Sequence, residues 1–170
     1  MFQGAAVVMG VTSCGKTTLG EALAAELHVK FVEGDKLHPP ANIAKMSAGI
    51  ALSDEDRWPW LEAVGQTLRG HQGVIASCSS LKKSYRDLIR SRAERPVMFI
   101  HLHGSHELLA SRIAARKNHF MPPSLLDSQL ATLEMPDSAE DHLTINIADP
   151  LQTQVFQAKS ALLAWIAKLA

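Results

Sequence analysis

One octapeptide near the start of the chain, Gly10-Val11-Thr12-Ser13-Cys14-Gly15-Lys16-Thr17, restricts the fold more than any other feature of the 170 residues. Its spacing is GxxxxGKT, and it lies between an apolar run, Ala5-Ala6-Val7-Val8-Met9, and a helical stretch from Thr18 to Leu27. Strand, glycine-rich turn and helix in that order build a phosphate cradle. Successive backbone N–H groups turn inward at the positive end of a helix, and glycine permits the turn. The cradle would run from Gly10 through Val11, Thr12, Ser13, Cys14, Gly15, Lys16 and Thr17 to Thr18. Lys16 then reaches the β- and γ-phosphates, and the Thr17 hydroxyl is placed to ligate Mg²⁺.

Beyond the cradle, short apolar runs alternate with helical patterns, which predicts an α/β fold with a parallel sheet covered on both faces. Strands are expected at Ala5–Met9, Lys30–Glu33, Gly73–Ala76, Val97–Leu102 and Leu143–Ile147. Helices are expected at Lys16–Leu27, Asn42–Ser47, Pro59–Arg69, Lys82–Arg92, Glu107–Lys117, Ser124–Leu133 and Leu151–Leu169. In the last helix Leu151, Val155, Ala158, Leu162 and Ile166 recur at helical spacing and read as core packing. With no internal repeat or long linker, residues 1–170 are expected to form a single domain.

Lys plus Arg and Asp plus Glu both number 17, so no basic field invites nucleic acid and a small-molecule substrate is favoured. The chain runs almost directly from Met1 into its first strand and carries no membrane-length apolar run, so neither secretion nor a membrane is expected. Only two cysteines, Cys14 and Cys78, are present, and a cytoplasmic setting follows from the missing disulfide framework. Cys14 lies near a helix N-terminus, where a thiol can become more acidic. Filling space in the loop is its plainer role, and redox control is the alternative. His101, His103 and His106 spell HxHxxH, but the first two alternate along a strand and no carboxylate or cysteine completes a ligand set.

Ligands of open parallel sheets bind beyond the carboxyl ends of the strands. The first strand ends in the cradle, the second in Glu33-Gly34-Asp35 and the third in Ser77-Cys78-Ser79-Ser80. Asp35 is the candidate to orient or deprotonate an attacking hydroxyl. Its alternative role is to start the turn before Lys36-Leu37-His38-Pro39-Pro40.

Several ordered motifs carry a more specific likeness. They are Glu33-Gly34-Asp35-Lys36-Leu37-His38-Pro39, Asn42-Ile43-Ala44-Lys45-Met46 and Leu52-Ser53-Asp54-Glu55-Asp56-Arg57-Trp58-Pro59-Trp60-Leu61. Then follow Cys78-Ser79-Ser80-Leu81-Lys82-Lys83-Ser84-Tyr85-Arg86-Asp87, Arg116-Lys117-Asn118-His119-Phe120-Met121-Pro122 and Ser128-Gln129 with Leu133-Glu134. Together they resemble the gluconokinases, ATP-dependent kinases of D-gluconate, over nearly the whole chain. The resemblance implies a P-loop NTPase of the nucleoside-monophosphate-kinase type, with five parallel strands in the order 2-3-1-4-5. It also implies a substrate-binding region at about 35–70 and a mobile lid at about 117–133. ATP and Mg²⁺ are the implied cofactors, 6-phosphogluconate the implied product, and a homodimer the suggested assembly. The departure is Ser13, which stands where the family commonly has glycine and would place a positive φ on a residue with a side chain.

Gluconate carries a carboxylate at one end and the hydroxyl to be phosphorylated at the other. Its site needs cations far from the γ-phosphate and neutral hydrogen-bonding groups between. Arg57, Lys82 and Arg86 supply the charge, while His38, Ser79 and Ser80 are the candidates to bond hydroxyls. Arg57 has an alternative in pairing with Asp54 or Asp56, and Lys45 reads as a surface charge. Trp58 and Trp60, beside Pro59 at an expected helix start, read as packing residues. Arg112 and Arg116, four apart on one expected helix, belong to the nucleotide end, with Arg116 a candidate to stabilise the transferring phosphoryl group. His119, Phe120 and Met121 are expected to close over the site and exclude water. A kinase for another small hydroxyacid, such as a shikimate-type substrate, and a non-catalytic nucleotide-binding regulator are the two alternatives.

Overall fold

A computed structural model of the chain describes residues 2–116 and 123–170. Its strands are β1 (Ala5–Met9), β2 (Lys30–Glu33), β3 (Val74–Ser77), β4 (Val97–His103) and β5 (His142–Asn146). The helices are α1 (Lys16–Leu27), α2 (Pro40–Ser47), α3 (Asp54–Arg69), α4 (Lys83–Ala93), α5 (His106–Ala114), α6 (Pro123–Thr132) and α7 (Leu151–Leu169). The strands form one sheet in the order β2-β3-β1-β4-β5, and each neighbouring pair is parallel. This is the P-loop kinase sheet that the motifs imply.

The period of two along a strand divides the apolar side chains between two cores. Ala6 and Val8 of β1, Ile75 of β3, and Met98, Ile100 and Leu102 of β4 pack with Leu19 and Leu23 of α1 and Ala158, Leu162 and Trp165 of α7. The intervening residues, Ala5, Val7, Met9, Val74, Ala76, Val97 and Phe99, turn to the other face and meet Leu61, Val64 and Leu68 of α3 and Ile89 of α4. Every residue of β1 is buried, as its central place requires. The β1 and β4 registers pair Ala5 with Val97 and Met9 with His101, so the carboxyl ends of the strands align along one edge.

Two helix ends and one apolar stripe are the larger departures from expectation. Helix α3 starts at Asp54 and not at Pro59, because Ser53 and Asp56 form a capping box. The Asp56 N–H donates to Ser53 Oγ at 3.2 Å, and the Ser53 N–H donates to Asp56 Oδ2 at 2.9 Å. Asp54, Glu55 and Asp56 add negative charge to that first turn, and the helix continues through the exposed Pro59. Helix α5 ends at Ala114, three residues short of the expected Lys117. In α7 the buried seam is Gln154, Ala158, Leu162 and Trp165, whereas Leu151 is 40% exposed, so the expected stripe is rotated at its start.

Candidate functional site: a phosphate cradle facing a cation cluster

The cradle joins β1 to α1. Gly10 has φ 146°, and a Cβ there would lie 2.8 Å from Cys14 Sγ and 2.9 Å from the Leu102 carbonyl oxygen, so only glycine fits. Lys16 Nζ lies across the mouth of the loop and donates to the carbonyl oxygens of Gly10 at 3.1 Å and Val11 at 2.9 Å. From α6, Gln129 Oε1 accepts the Thr12 N–H at 2.6 Å, placing an oxygen acceptor on a cradle amide. That is the chemistry a phosphate oxygen would use there.

Ser13 has φ 63°, in the left-handed region that a side chain disfavours, and its buried Oγ has no hydrogen-bond partner. Ser13→Gly would relieve about 1–2 kcal/mol of backbone strain. It would also give back about 0.4–1 kcal/mol by freeing the unfolded chain. The expected result is a nearly unchanged melting temperature with nucleotide binding equal or tighter by calorimetry. Clearly weaker ATP binding would show that the hydroxyl makes a ligand contact.

At the carboxyl ends of β2 and β3, one carboxylate joins three elements. The Thr17 hydroxyl donates to Glu33 Oε2 at 2.5 Å, and the Ser77 hydroxyl donates to Glu33 Oε1. The Gly34 N–H in turn donates to Ser77 Oγ at 3.2 Å. A Cβ on Gly34 would sit 2.0 Å from the Ser77 carbonyl oxygen, so glycine alone lets the two strand ends close to this distance. Glu33 is the site residue that sequence reasoning passed over. Its signal was an acidic residue two before Asp35 at a strand end, facing the hydroxyl of the cradle. A hydroxyl and a carboxylate in contact are the oxygen donors that Mg²⁺ takes. Asp35 follows in a 3-10 turn, Gly34–Leu37, with its side chain exposed.

The expected cations Arg57 and Lys82 do come together, on the carboxylate of Asp54. Lys82 Nζ is 3.0 Å and Arg57 Nη1 is 3.5 Å from Asp54 oxygens, and the Tyr85 hydroxyl donates to Asp54 Oδ1. Both cations also lie over the Tyr85 ring, 5.7 Å for Arg57 and 5.5 Å for Lys82. The Tyr85 hydroxyl, with Lys82 beside it, holds the Asp54 carboxyl below its ordinary range, and Asp54 holds the Lys82 ammonium above its own. Two positive charges against one negative leave the cluster with a surplus of one. Lys45 pairs with Asp56 at 2.7 Å, as a structural surface charge.

His38 is nearly buried and stacks on Trp60, with ring centroids 4.0 Å apart and 17° between planes. Trp60 is itself anchored by donating its indole N–H to the Gly34 carbonyl at 2.8 Å, and Trp58 meets Tyr85 edge-on. Both tryptophans therefore pack, and Trp60 also fixes the wall on which His38 rests. Ser79 is half-buried, and its carbonyl accepts the Gly10 N–H at 3.2 Å, tying the β3–α4 loop to the cradle.

Arg86 corrects the sequence expectation. It is fully buried, with Nε and Nη2 each 2.8 Å from Glu140 and Nη1 donating to the carbonyls of Ser80 at 3.0 Å and Leu81 at 3.2 Å. A guanidinium so engaged has no face for a substrate carboxylate, and what it holds is the loop carrying Ser79. Ser80 is likewise fully buried, in a left-handed conformation at φ 48°, and leaves the set of hydroxyl-binding candidates. Arg90 joins Glu140 at 2.9 Å. Burial alone would push the Glu140 carboxyl up, but the hydrogen bonds from Arg86 and Arg90 override it and bring it down to about 2.

At the nucleotide end, Arg112 Nη2 donates to the Ile147 carbonyl at 2.7 Å and Nη1 to the Cys14 carbonyl at 3.5 Å, which lays the guanidinium along the cradle. Arg116 is exposed two residues beyond the end of α5, so the two arginines do not share a helical face as expected. Cys14 is buried and burial pushes its thiol up, which favours the packing role over the redox one. The Cys78 thiol, also buried, is pushed up to about 11. Lys117, His119, Phe120 and Met121 of the expected lid lie outside the described residues.

Known proteins are similar to this chain. The family model for shikimate kinase matches residues 12–166. A gluconokinase of Gluconobacter oxydans is 48% identical over 145 residues, covering 82% of this chain and 80% of that protein. The thermosensitive gluconokinase of Escherichia coli is 44% identical over 164 residues, covering 93% of this chain and 87% of its own. The crystal structure of a gluconokinase from Sinorhizobium meliloti superposes with a TM-score of 0.91 at 48% identity, over 99% of this chain and 96% of that one.

Proposed function

Because the chain belongs to the gluconokinase family of P-loop kinases, we propose that it phosphorylates the terminal hydroxyl of D-gluconate, giving 6-phospho-D-gluconate and ADP. The observation that carries this reading is the pairing of Arg57 and Lys82 on Asp54, a cluster one positive charge in surplus. A monocarboxylate balances that surplus. Bound ATP supplies the phosphoryl group and Mg²⁺ neutralises its charge. Lys16 and the cradle amides would hold the phosphates, Thr17 and Glu33 are the oxygen donors for the metal, and Arg112 and Arg116 are the cations at the nucleotide end.

Within that frame the chain's own residues divide the work. Arg57 and Lys82 bind the carboxylate and so set the direction of the extended substrate. His38 and Ser79 present polar groups to the hydroxyls between. Asp35 orients the terminal hydroxyl and takes its proton on a carboxylate oxygen. Residues of the lid exclude water, which limits wasteful hydrolysis. A cytoplasmic setting fits two buried thiols with no partner sulfur, and a homodimer is the proposed assembly. No helix among the described residues is long and apolar enough to cross a membrane.

A coupled ADP-release assay over sugar acids and other hydroxyacids tests the proposal. Release should require the acid and be fastest with gluconate; a preference for a shikimate-type acid, or none for any, would overturn it. In the same assay Arg57→Gln should raise the KM for gluconate about 10–100-fold, the worth of a hydrogen bond to a charged group, with a smaller change in kcat. A contact made equally in ground and transition state acts on KM. An unchanged KM would return Arg57 to a purely structural pair with Asp54.

A further inference from the structure

Asn42, on α2, is 3% exposed and uses one nitrogen twice. Its Nδ2 donates to the Asp56 carbonyl oxygen at 2.8 Å and lies 3.2 Å from His38 Nδ1. The carbonyl oxygen can only accept, so it fixes which end of the amide faces this way. A flipped amide would set oxygen against oxygen at 2.8 Å. With the nitrogen so placed, its second hydrogen meets His38 Nδ1, and that ring atom must carry a lone pair. Protonating Nδ1 would oppose N–H to N–H in a buried place.

We infer that Asn42 is a positioning residue that locks His38 as the neutral Nε2–H tautomer, making the ring a hydrogen-bond donor to a substrate hydroxyl and excluding it as a proton acceptor. The stacking on Trp60 fixes the ring plane, while the bond from Asn42 fixes its rotation. The charged groups facing the ring are Asp35 in the 3-10 turn and Arg57 on α3; the Asp56 carboxylate is neutralised by Lys45 of α2. Burial lowers the ring's proton affinity, and of these two neighbours Asp35 opposes that and Arg57 adds to it. The ring thus feels both the carboxylate and the cation that the proposed function puts at opposite ends of the substrate. The proton of the attacking hydroxyl is left to Asp35. This assignment rests on the gluconate reading for the identity of the hydroxyl, but not for the tautomer.

The tautomer is read directly from long-range proton–nitrogen correlation on the full chain labelled in its eight histidines, with His38 assigned by the signal lost in His38→Gln. A protonated Nε2 and a bare Nδ1 at neutral pH are expected. A protonated Nδ1, or an imidazolium, would overturn the inference. Asn42→Asp offers Nδ1 an acceptor in place of a donor and should move a proton onto Nδ1. It should also raise the KM for gluconate about tenfold, the worth of one hydrogen bond, with the KM for ATP unchanged. Should Nε2 lose its proton in Asn42→Asp while the gluconate KM stays put, the donor role falls. The wild-type spectrum decides the tautomer even where the variant fails to fold. Failure of the wild-type protein to phosphorylate gluconate would defeat the reading of the substrate and leave that spectrum standing.

Discussion

Asp35→Asn is expected to lower kcat for gluconate phosphorylation by about 10²–10⁴-fold, the range of a positioned general base, while nucleotide binding is retained. The amide keeps the size and the hydrogen-bonding reach of the carboxylate but cannot take a proton. The Gly34 N–H donates to the Ser77 hydroxyl oxygen and the Trp60 indole N–H donates to the Gly34 carbonyl, so the backbone that presents residue 35 is held independently of its side chain. An exposed side chain at this place contributes little to packing, and the variant should melt with the parent. Steady-state kinetics in both substrates, with a thermal melt beside them, separate the possibilities. Normal turnover by Asp35→Asn would remove the base from the account.

Arg86→Ala should act on stability, with a loss of about 3–5 kcal/mol, because it leaves the Glu140 carboxylate buried without its bidentate partner. The side chains of the pair are 0% and 2% exposed. The same pair makes the protein acid-sensitive. The Glu140 carboxyl is lowered to about 2 in the folded chain from an ordinary 4.5. Its contribution is therefore fully present above the ordinary value and is lost as pH falls toward the folded one. That shift corresponds to about 3 kcal/mol. Urea denaturation at neutral and acid pH measures both effects. Glu140→Gln should flatten the acid limb. The joint replacement Arg86→Met with Glu140→Leu should recover part of the loss, since it strands no buried carboxylate and leaves the partly exposed Arg90 to Asp87. A stable Arg86→Ala protein with a raised KM for gluconate would instead restore Arg86 to the substrate site.

These two residues show what was legible in the sequence. The place of Asp35, though not its role, could be read because a carboxylate just past the second strand is placed by topology alone, and the ends of parallel strands lie on one edge. The bounds of β1, β2, α1 and α7 follow from short apolar runs and helical spacing, and the structure has the same bounds. Arg86 was misread because a cation near a strand end looks like a ligand for an anion. Yet Arg86, Ile89 and Ala93 fall at helical spacing on the buried face of α4, and that spacing marks Arg86 as interior. Its partner Glu140 lies 54 positions away in a loop, where no periodicity points to it. Glu33 was hidden by being counted as the last residue of a strand, although its carboxylate meets Thr17 across the cleft. The capping box at Ser53 and Asp56 was present as S-x-x-D and would have started α3 where it starts, had Pro59 not suggested a boundary.

The central claim is that one end of gluconate is held by Arg57 and Lys82 while Asp35 acts on the other. The position of the phosphate on the product tests it most directly. Carbon and phosphorus NMR of the product made from ATP and carbon-13-labelled gluconate should show a single phosphomonoester, coupled to the terminal hydroxymethyl carbon. Phosphate on an interior hydroxyl, or no phosphorylated gluconate from a folded protein that binds ATP, would contradict the account.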